Sequence, residues 1–314
     1  MSIRGHLWTI APRLRHGVRP LRPPEPRPWR TTVTDPVTGE IPVTGLLREV
    51  PGSEDLLVLV HGLGGSTSSH YMLRAAMAAE AAGISCLRVN LRGCDRESGD
   101  FYHGGLTADL HAALASDSLR GYRRIYALGY SLGGHVALRL GTEEADPRLA
   151  AVAAVCSPLD LRLSQQAIDA PAVWVYRRYL LSSLKVIYAA VAQRRPVPVP
   201  AAEAARIGTL FEFDDRIVAP RFGFAGALDY YARASVAPRL ADLRVPALLL
   251  NSEADPMVPA HTVRTALERG ASSLEVRWLS QGGHVSFPGE LDAGLGVGVG
   301  VDAQVIGWLR GAAT

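Results

Sequence analysis

Six short apolar runs recur along the chain and predict the buried strands of one sheet. They lie at residues 56–60, 84–91, 124–128, 149–156, 245–251 and 274–279. Continuous runs of this kind are typical of parallel strands that are buried on both faces. Helical patterns alternate with them, near residues 69–82, 106–118, 260–269 and 301–310, and residues 135–140, just after the Gly-rich stretch at 129–134, read as the start of a further helix. Repeated strand–helix units predict a doubly wound, mostly parallel α/β sheet with right-handed crossovers.

A β-hairpin is expected ahead of these units. Residues 31–34 are β-prone, residues 35–39 (Asp-Pro-Val-Thr-Gly) form a turn signal, and residues 41–50 return as a second strand. With the six apolar runs, the hairpin brings the predicted sheet to about eight strands.

The most informative stretch is Gly129-Tyr130-Ser131-Leu132-Gly133-Gly134, which lies between a predicted strand and a predicted helix. Gly-x-Ser-x-Gly in this setting is typical of the nucleophile elbow of α/β-hydrolases. The tight turn strains the serine backbone, and glycines on either side avoid Cβ clashes. Ser131 is therefore the candidate nucleophile, and the amide of Leu132, at the helix N-terminus, can face a developing oxyanion.

A second oxyanion donor is predicted in His61-Gly62-Leu63-Gly64-Gly65, the loop after the strand at 56–60. In this fold the second amide comes from such a loop, and Leu63 is the candidate donor. His61 is interpreted as a residue that braces the loop. The stretch fits neither a phosphate-binding loop nor a dinucleotide fingerprint, and no group of residues shows metal-ligand spacing. We therefore expect neither a cofactor nor a metal.

The acid and the histidine of a catalytic triad should follow the serine in that order, each at the end of a strand. Asp255, just after the run at 245–251, is the candidate acid, with Glu253 as the alternative. His284, after Gly282 and Gly283, is the candidate general base.

The strand–helix rhythm stops between residues 158 and 243, where the pattern favours helices and loops. An insertion after the sixth strand is where lids occur in this fold class. We therefore expect a core formed by residues 31–157 and 244–314 and a helical lid at 158–243. Four residues of the predicted lid favour an apolar acyl site: Trp174, Tyr176, Tyr179 and Leu180. The longest apolar stretch, 179–192, is too short to span a bilayer and contains Lys185.

Residues 1–30 combine many prolines with seven arginines and one acidic residue, Glu25, a composition typical of a disordered arm. The apolar and aromatic side chains of residues 6–12 would be unnecessary in a solvated tail. We therefore expect this arm to pack on the core.

The overall composition is that of an ordinary globular protein, with 48% hydrophobic and 20% charged residues among 314. The formal net charge of +3 comes largely from the arm, whose arginines alternate with prolines, and this argues against nucleic-acid binding. Three cysteines, Cys86, Cys94 and Cys156, do not form a disulfide framework. The first residues lack the uninterrupted apolar core of a secretory signal, so we expect a cytoplasmic location. Peripheral contact with a membrane remains an open alternative.

Beyond these motifs, the chain resembles one family from end to end. The residues that carry the resemblance are 6–12, Arg92-Gly93-Cys94, Tyr102-His103-x-Gly105, the elbow 129–134, the block 213–224 with Tyr230-Tyr231, Asp255-Pro256 and 282–284. They are similar to the YheT-like branch of the α/β-hydrolases, the type-four AB hydrolase family. The chain departs from it at Trp8, where glutamine is usual, and at Gly64, where bacterial relatives often have glutamate.

The resemblance implies a charge-relay set of Ser131, Asp255 and His284 and the hydrolysis of carboxylic esters. The expected substrates are small-molecule short to medium acyl esters or lipid esters, cleaved through an acyl-enzyme. Two alternatives remain open: an acyltransferase that uses the same triad, and a non-catalytic binding protein on a hydrolase scaffold.

Adjacent carboxylates in the predicted lid, Asp214 and Asp215, could suggest catalysis by a carboxylate pair. We interpret them as structural, capping a helix or pairing with arginines such as Arg216 or Arg221.

Overall fold

The computed structural model describes residues 3–144, 146–268, 274–296 and 298–312. Eight strands form one sheet in the order β1-β2-β4-β3-β5-β6-β7-β8. The strands are β1 Arg27–Asp35, β2 Gly39–Arg48, β3 Asp55–Val60, β4 Ser85–Val89, β5 Arg124–Tyr130, β6 Leu149–Val155, β7 Ala247–Ser252 and β8 Leu274–Leu279. β1 and β2 form an antiparallel hairpin, β2 pairs antiparallel with β4, and the other neighbours are parallel. The predicted α/β-hydrolase fold is confirmed.

Helices cover both faces of the sheet, because the central strands are apolar on both sides. The helices are α1 Ile3–Val18, α2 His70–Ala81, α3 Ala108–Leu114, α4 Leu132–Thr142, α5 Leu161–Asp169, α6 Trp174–Ala192, α7 Ala201–Ala204, α8 Leu210–Phe213, α9 Ala219–Phe222, α10 Ala227–Ala234, α11 Ala260–Leu267 and α12 Val301–Gly311. One core lies between the sheet and α2 and α12, and a second lies on the opposite face against α3, α4 and the helices between β6 and β7.

Several predicted bounds differ from the structure, and one falls outside the described residues. β1 begins at Arg27, four residues earlier than expected, so the hairpin takes in the end of the predicted arm. The helix expected at 106–118 is α3, which ends at Leu114 and is followed by a separate 3₁₀ turn, Asp117–Leu119. The predicted end of α11 at Arg269 lies outside the described residues. Residues 3–18 form α1, for which the composition predicted no helix, even though Pro12 lies within it.

Between β6 and β7 the chain forms α5–α10 and short 3₁₀ and π-helical turns, with no strand in this fully described segment. An ion cluster fastens it to the core. The Arg92 guanidinium, 2% exposed, bonds three carboxylates, those of Asp35, Asp100 and Asp109, at 2.6–3.2 Å. Arg221, from the inserted segment, binds two of these, Asp35 and Asp100. The hairpin turn, the loop after β4 and the insertion are thereby held at one point.

Burial by itself would disfavour ionisation within this cluster. At Asp35, hydrogen bonds from the amides of Thr38 and Val37 and from Arg92 outweigh the burial, and the pKa of the carboxyl falls below its usual value. At Asp109 burial dominates, and its pKa is raised despite the contact with Arg92. Arg92 therefore favours the ionised form of both carboxylates, Asp35 and Asp109, against the effect of burial.

No helix in the described part of the chain is long and apolar enough to cross a membrane.

Candidate active site

The predicted nucleophile elbow, residues 129–134, has the strained backbone geometry that the sequence indicates. Ser131 adopts φ 54° and ψ −126° between β5 and α4, a region that L-residues avoid. A Cβ at Gly129 would lie 2.1 Å from the carbonyl oxygen of Gly133, and a Cβ at Gly133 would lie 2.3 Å from that of Val60. Glycine is thus required at both positions for the turn to form. Leu132 begins α4, so its N–H has no acceptor within the helix.

Asp255 and His284 meet at the same edge of the sheet, after β7 and β8. Asp255 Oδ2 lies 2.8 Å from His284 Nδ1. The other carboxylate oxygen of Asp255 accepts hydrogen bonds from the amides of Met257 (2.8 Å) and Val258 (3.0 Å), so the carboxylate is held in place. With the Nδ1 proton facing Asp255, the Nε2 of His284 is left as a proton acceptor. The alternative acid, Glu253, is half-exposed and pairs with Arg264.

The loop of the predicted oxyanion donor is anchored on both sides of Leu63. The Gly62 N–H donates to the Tyr71 hydroxyl at 3.0 Å, and the Gly64 N–H donates to the Tyr102 hydroxyl at 2.7 Å. The Leu63 N–H, between them, has no hydrogen-bond acceptor among the residues that the structure describes. His61 braces the loop from below, since its Nδ1 bonds the Gly62 carbonyl (2.8 Å) and its Nε2 accepts from the Leu91 amide (3.1 Å).

A cavity of about 930 Å³ opens above these residues, and Ser131, His284, Leu63 and Leu132 all line it. Its walls are mostly apolar side chains from α5 and α6 together with residues of α1. Of the four lid residues predicted to form an acyl site, Tyr176, Tyr179 and Leu180 line the cavity. Trp174 does not, because it lies on the outer side of α6 and is 53% exposed.

Three other histidines near the cavity are poor candidates for a general base. Burial lowers the pKa of His61 to about 4, that of His70 to about 4 and that of His103 to about 3. An imidazole with so low a pKa accepts a proton weakly at neutral pH. His284 differs from them in bonding directly to a carboxylate.

Two supports of His284 were not predicted from the sequence. Thr9 of α1 accepts a hydrogen bond from the His284 amide at 2.8 Å. Packing there is close: a Cβ at Gly283 would lie 2.3 Å from the Gly5 carbonyl oxygen, and a Cβ at Gly5 would lie 1.9 Å from that of Ala254. Helix α1 therefore packs directly on the loops that carry Asp255 and His284. Thr9 lies in the segment 6–12 that carries the family resemblance, but no local sequence pattern indicated that its hydroxyl would bond the His284 amide.

The second neighbour that was not predicted is Cys156, which is fully buried and has φ 51° just after β6. Its thiol donates to the carbonyl of Gly283, the residue before His284, at 3.5 Å. Its side chain, Asp255 and His284 form the only cluster of three potential metal ligands found among the described residues, with ligand atoms within 4.8 Å. The 2.8 Å contact between Asp255 and His284 fits a direct hydrogen bond. Burial, followed by the charge of Asp255, raises the pKa of the Cys156 thiol well above its usual value. The thiol therefore stays protonated and packs beneath the acid as a neutral group.

The interpretation of Asp214 and Asp215 needs correction. Asp215 caps a helix as expected, since its Oδ1 accepts from the Ala227 amide at the start of α10 (2.9 Å). Asp214 pairs with no arginine in the described structure: its Oδ2 accepts from the Tyr231 hydroxyl (2.7 Å), and it lines the cavity. The proposed arginine partners are engaged elsewhere, Arg216 with Glu203 and Glu212 and Arg221 in the buried ion cluster.

Asp214→Asn is expected to stabilise the protein at high pH. Burial, opposed by the Tyr231 hydroxyl and assisted by the charge of Asp169, raises the pKa of Asp214 from 3.8 to about 7. In the unfolded chain the carboxyl ionises near pH 4, so its contribution to stability falls as the pH rises from about 4 to about 7.

Asparagine preserves the acceptor for Tyr231 without this penalty. Since Asp214 is partly exposed, we expect a gain on the order of 1–2 kcal/mol at pH 8, against little change at pH 4. Urea denaturation of both proteins across this pH range measures it. A constant difference at all pH values would contradict the raised pKa.

Comparison with known proteins places these observations in a family. The model of the alpha/beta hydrolase family matches residues 57–293. YheT of Escherichia coli (strain K12), a candidate esterase, is 34% identical over 245 residues, which cover 74% of this chain and 70% of YheT. Human phospholipase ABHD3 is 27% identical over 74% of this chain. Medium-chain fatty acid ethyl ester synthase/esterase 2 of Saccharomyces cerevisiae is 28% identical over 77% of this chain. The matches cover 58% and 59%, respectively, of the length of these two relatives.

Solved structures agree on the fold. The 2,6-dihydroxy-pseudo-oxynicotine hydrolase superposes with a TM-score of 0.58 at 20% identity, covering 92% of this chain and 69% of its own. The alpha/beta hydrolase GrgF from Penicillium sp. sh18 also gives a TM-score of 0.58, at 17% identity, covering 91% and 99%. The fold, the matched family model and the identity to YheT agree, and the chain belongs to the YheT-like alpha/beta hydrolases.

Proposed function

We propose that this enzyme is a serine carboxylic-ester hydrolase that works through an acyl-enzyme on Ser131. The observation that carries the proposal is the Asp255–His284 pair, which faces the same cavity as a serine on a strained elbow. An acid held by two amides, a histidine whose Nε2 has no partner among the described residues, and a serine that lines the cavity are the parts that acyl transfer needs.

In the first half of the reaction, the Oγ of Ser131 attacks the ester carbonyl while Nε2 of His284 takes the hydroxyl proton. Asp255 holds the imidazole and stabilises the imidazolium that forms. The amides of Leu63 and Leu132 bind the oxyanion, a contribution worth about 3–4 kcal/mol for each donor in related sites. His284 then protonates the departing alcohol, and the acyl group remains on Ser131.

In the second half, water enters in place of the alcohol. His284 removes its proton, the resulting hydroxide attacks the acyl carbonyl, and the carboxylic acid leaves as Ser131 regains its proton. Water is the only co-substrate, and the four residues that contact the reacting ester in this scheme, Ser131, His284, Leu63 and Leu132, all line the cavity.

The proposed substrates are esters of short to medium acyl chains, including lipid esters. The cavity is at the large end of the range for small-molecule sites, and its walls on α5 and α6 are apolar. In this proposal residues 158–243 act as the lid that supplies these walls. The names of the bacterial, human and yeast relatives, an esterase, a phospholipase and an ester synthase/esterase, support the same class of substrate. The proposed location is cytoplasmic, in keeping with three free, buried thiols.

A fluorophosphonate probe tests the proposal. We expect the folded protein to form one covalent adduct, which peptide mapping locates at Ser131. Heat-denatured protein and the Ser131→Ala variant should remain unlabelled. A folded protein that is not labelled would instead support the binding-protein alternative. A series of p-nitrophenyl esters of increasing chain length then defines the acyl preference.

Acyl transfer to an alcohol is a second candidate, favoured by the apolar walls around Ser131, which limit access of water. Both candidates share the acyl-enzyme and differ in what attacks it. Turnover of an acyl ester in the presence of ethanol separates them: a hydrolase releases mainly the free acid, whereas a transferase releases mainly the ethyl ester.

A further inference from the structure

Helix α1 presents a stripe of exposed aliphatic side chains that nothing in the described structure covers. The stripe, here called the α1 stripe, consists of Ile3, Leu7, Ile10, Leu14 and Val18. Each is between 41% and 82% exposed. At 100° per residue the five fall within an arc of about 80°, opposite the face that packs on the core through Gly5 and Thr9. Five solvated aliphatics on one face of a 16-residue helix indicate an interaction surface.

The α1 stripe continues into the rim of the cavity. Ile10 and Leu14 of the stripe are exposed and also line the cavity. Three residues of α6 share both properties: Val175, Tyr179 and Val186. Helices α1 and α6 are joined at this rim, because Arg13 stacks on the Tyr179 ring at 3.9 Å and His6 Nδ1 lies 2.7 Å from the Tyr176 hydroxyl. The apolar surface therefore surrounds the entrance to the site.

Charge identifies the chemistry of the occupant. On the helical projection Arg4 and Arg15 flank the α1 stripe on one side and Arg13 flanks it on the other. Arg19 and Arg22 follow directly, and the first acidic residue of the sequence is Glu25. Long basic side chains beside an apolar stripe can reach anionic head groups while the stripe enters the acyl region. A second copy of the chain would bring these arginines against each other.

We propose that the α1 stripe and the cavity rim dock on an anionic lipid surface. Helix α1 lies in the plane of the interface, its aliphatic side chains enter the lipid, and its arginines contact the phosphates. Docking in this orientation places the cavity entrance against the membrane, so that a lipid-borne ligand can enter without crossing water. The surface binding does not depend on Ser131.

Flotation with vesicles tests the proposal directly. We expect the full-length protein to bind vesicles of phosphatidylcholine with 30% phosphatidylglycerol, to bind pure phosphatidylcholine weakly, and to dissociate from the anionic vesicles at high salt. Ile3→Gln with Leu7→Gln, outside the cavity lining, should weaken partitioning at least tenfold. Arg4→Gln and Arg15→Gln should each weaken it about fivefold. Ser131→Ala should bind like wild type, so a failure of the proposed chemistry leaves this result intact.

Val37→Gln with Leu228→Gln is the matched control, since both residues are exposed aliphatics away from α1. Thermal melts establish that all variants fold. The proposal is overturned if the wild type does not bind anionic vesicles, or if the α1 variant and the control bind equally. It is also overturned if the protein forms a lipid-free dimer that Ile3→Gln with Leu7→Gln abolishes, which would assign the surface to a second copy.

Discussion

Asp255→Asn is expected to lower kcat for ester hydrolysis by about 10⁴ while leaving the protein folded. The carboxylate accepts the Nδ1 proton of His284 at 2.8 Å and is itself held by the amides of Met257 and Val258. Asparagine can donate to Nδ1 through its amide nitrogen, which would put the histidine proton on Nε2 and leave no base for Ser131. Steady-state kinetics with a p-nitrophenyl ester measure the loss of kcat, and a thermal melt shows whether the variant remains folded.

Glu253→Gln provides the control for this substitution. Glu253 lies two residues away, but it is half-exposed and pairs with Arg264. We expect its replacement to change kcat less than twofold. Wild-type turnover in Asp255→Asn together with a large loss in Glu253→Gln would move the acid to Glu253.

Arg92→Met is expected to destabilise the fold by about 3–5 kcal/mol, because it leaves buried carboxylates without their cation. Asp35, Asp100 and Asp109 all bond this guanidinium, and Arg221 cannot replace it at Asp109. The methionine side chain fills much of the same space, so loss of charge dominates over loss of packing. Urea denaturation measures the change.

Arg27→Met is the matched control. Arg27 pairs with Glu49 at 2.8 Å, but about half of each side chain is exposed to water. Exposed pairs contribute at most about 1 kcal/mol, so this variant should unfold close to wild type. Equal destabilisation by the two substitutions would contradict the role assigned to the buried cluster.

The sheet and the positions of Ser131, Asp255 and His284 could be predicted because their signals are local. Continuous apolar runs indicate strands that are buried on both faces. The glycines of the elbow are required because a Cβ there would clash with residues nearby in sequence or on an adjacent strand. The chain order of serine, acid and histidine then follows from strand ends that meet at one edge of the sheet. Each inference needed only a short window of sequence and the rules of parallel sheets.

Other features depend on contacts between distant residues and carried no local signal. Helix α1 is rich in arginine and contains a proline, and its place is set by the close approach of Gly5 to Ala254. Asp214 lies in a π-helical turn, Asp214–Val218, which aims its carboxylate at Tyr231, whereas a sequence pattern suggested an arginine partner. The position of the Cys156 thiol close to Asp255 and His284 likewise could not be derived from its neighbours in sequence.

The hydrogen bond between Thr9 and His284 joins residues that lie 275 positions apart in the sequence. During synthesis α1 leaves the ribosome long before the loop on which it packs exists, so it has no docking site until residues 254 and 283 have been made and the strands before them have paired. Contacts that close so long a loop form after local ones. We therefore expect the loop that carries His284 to reach its final position late in the folding of each new molecule.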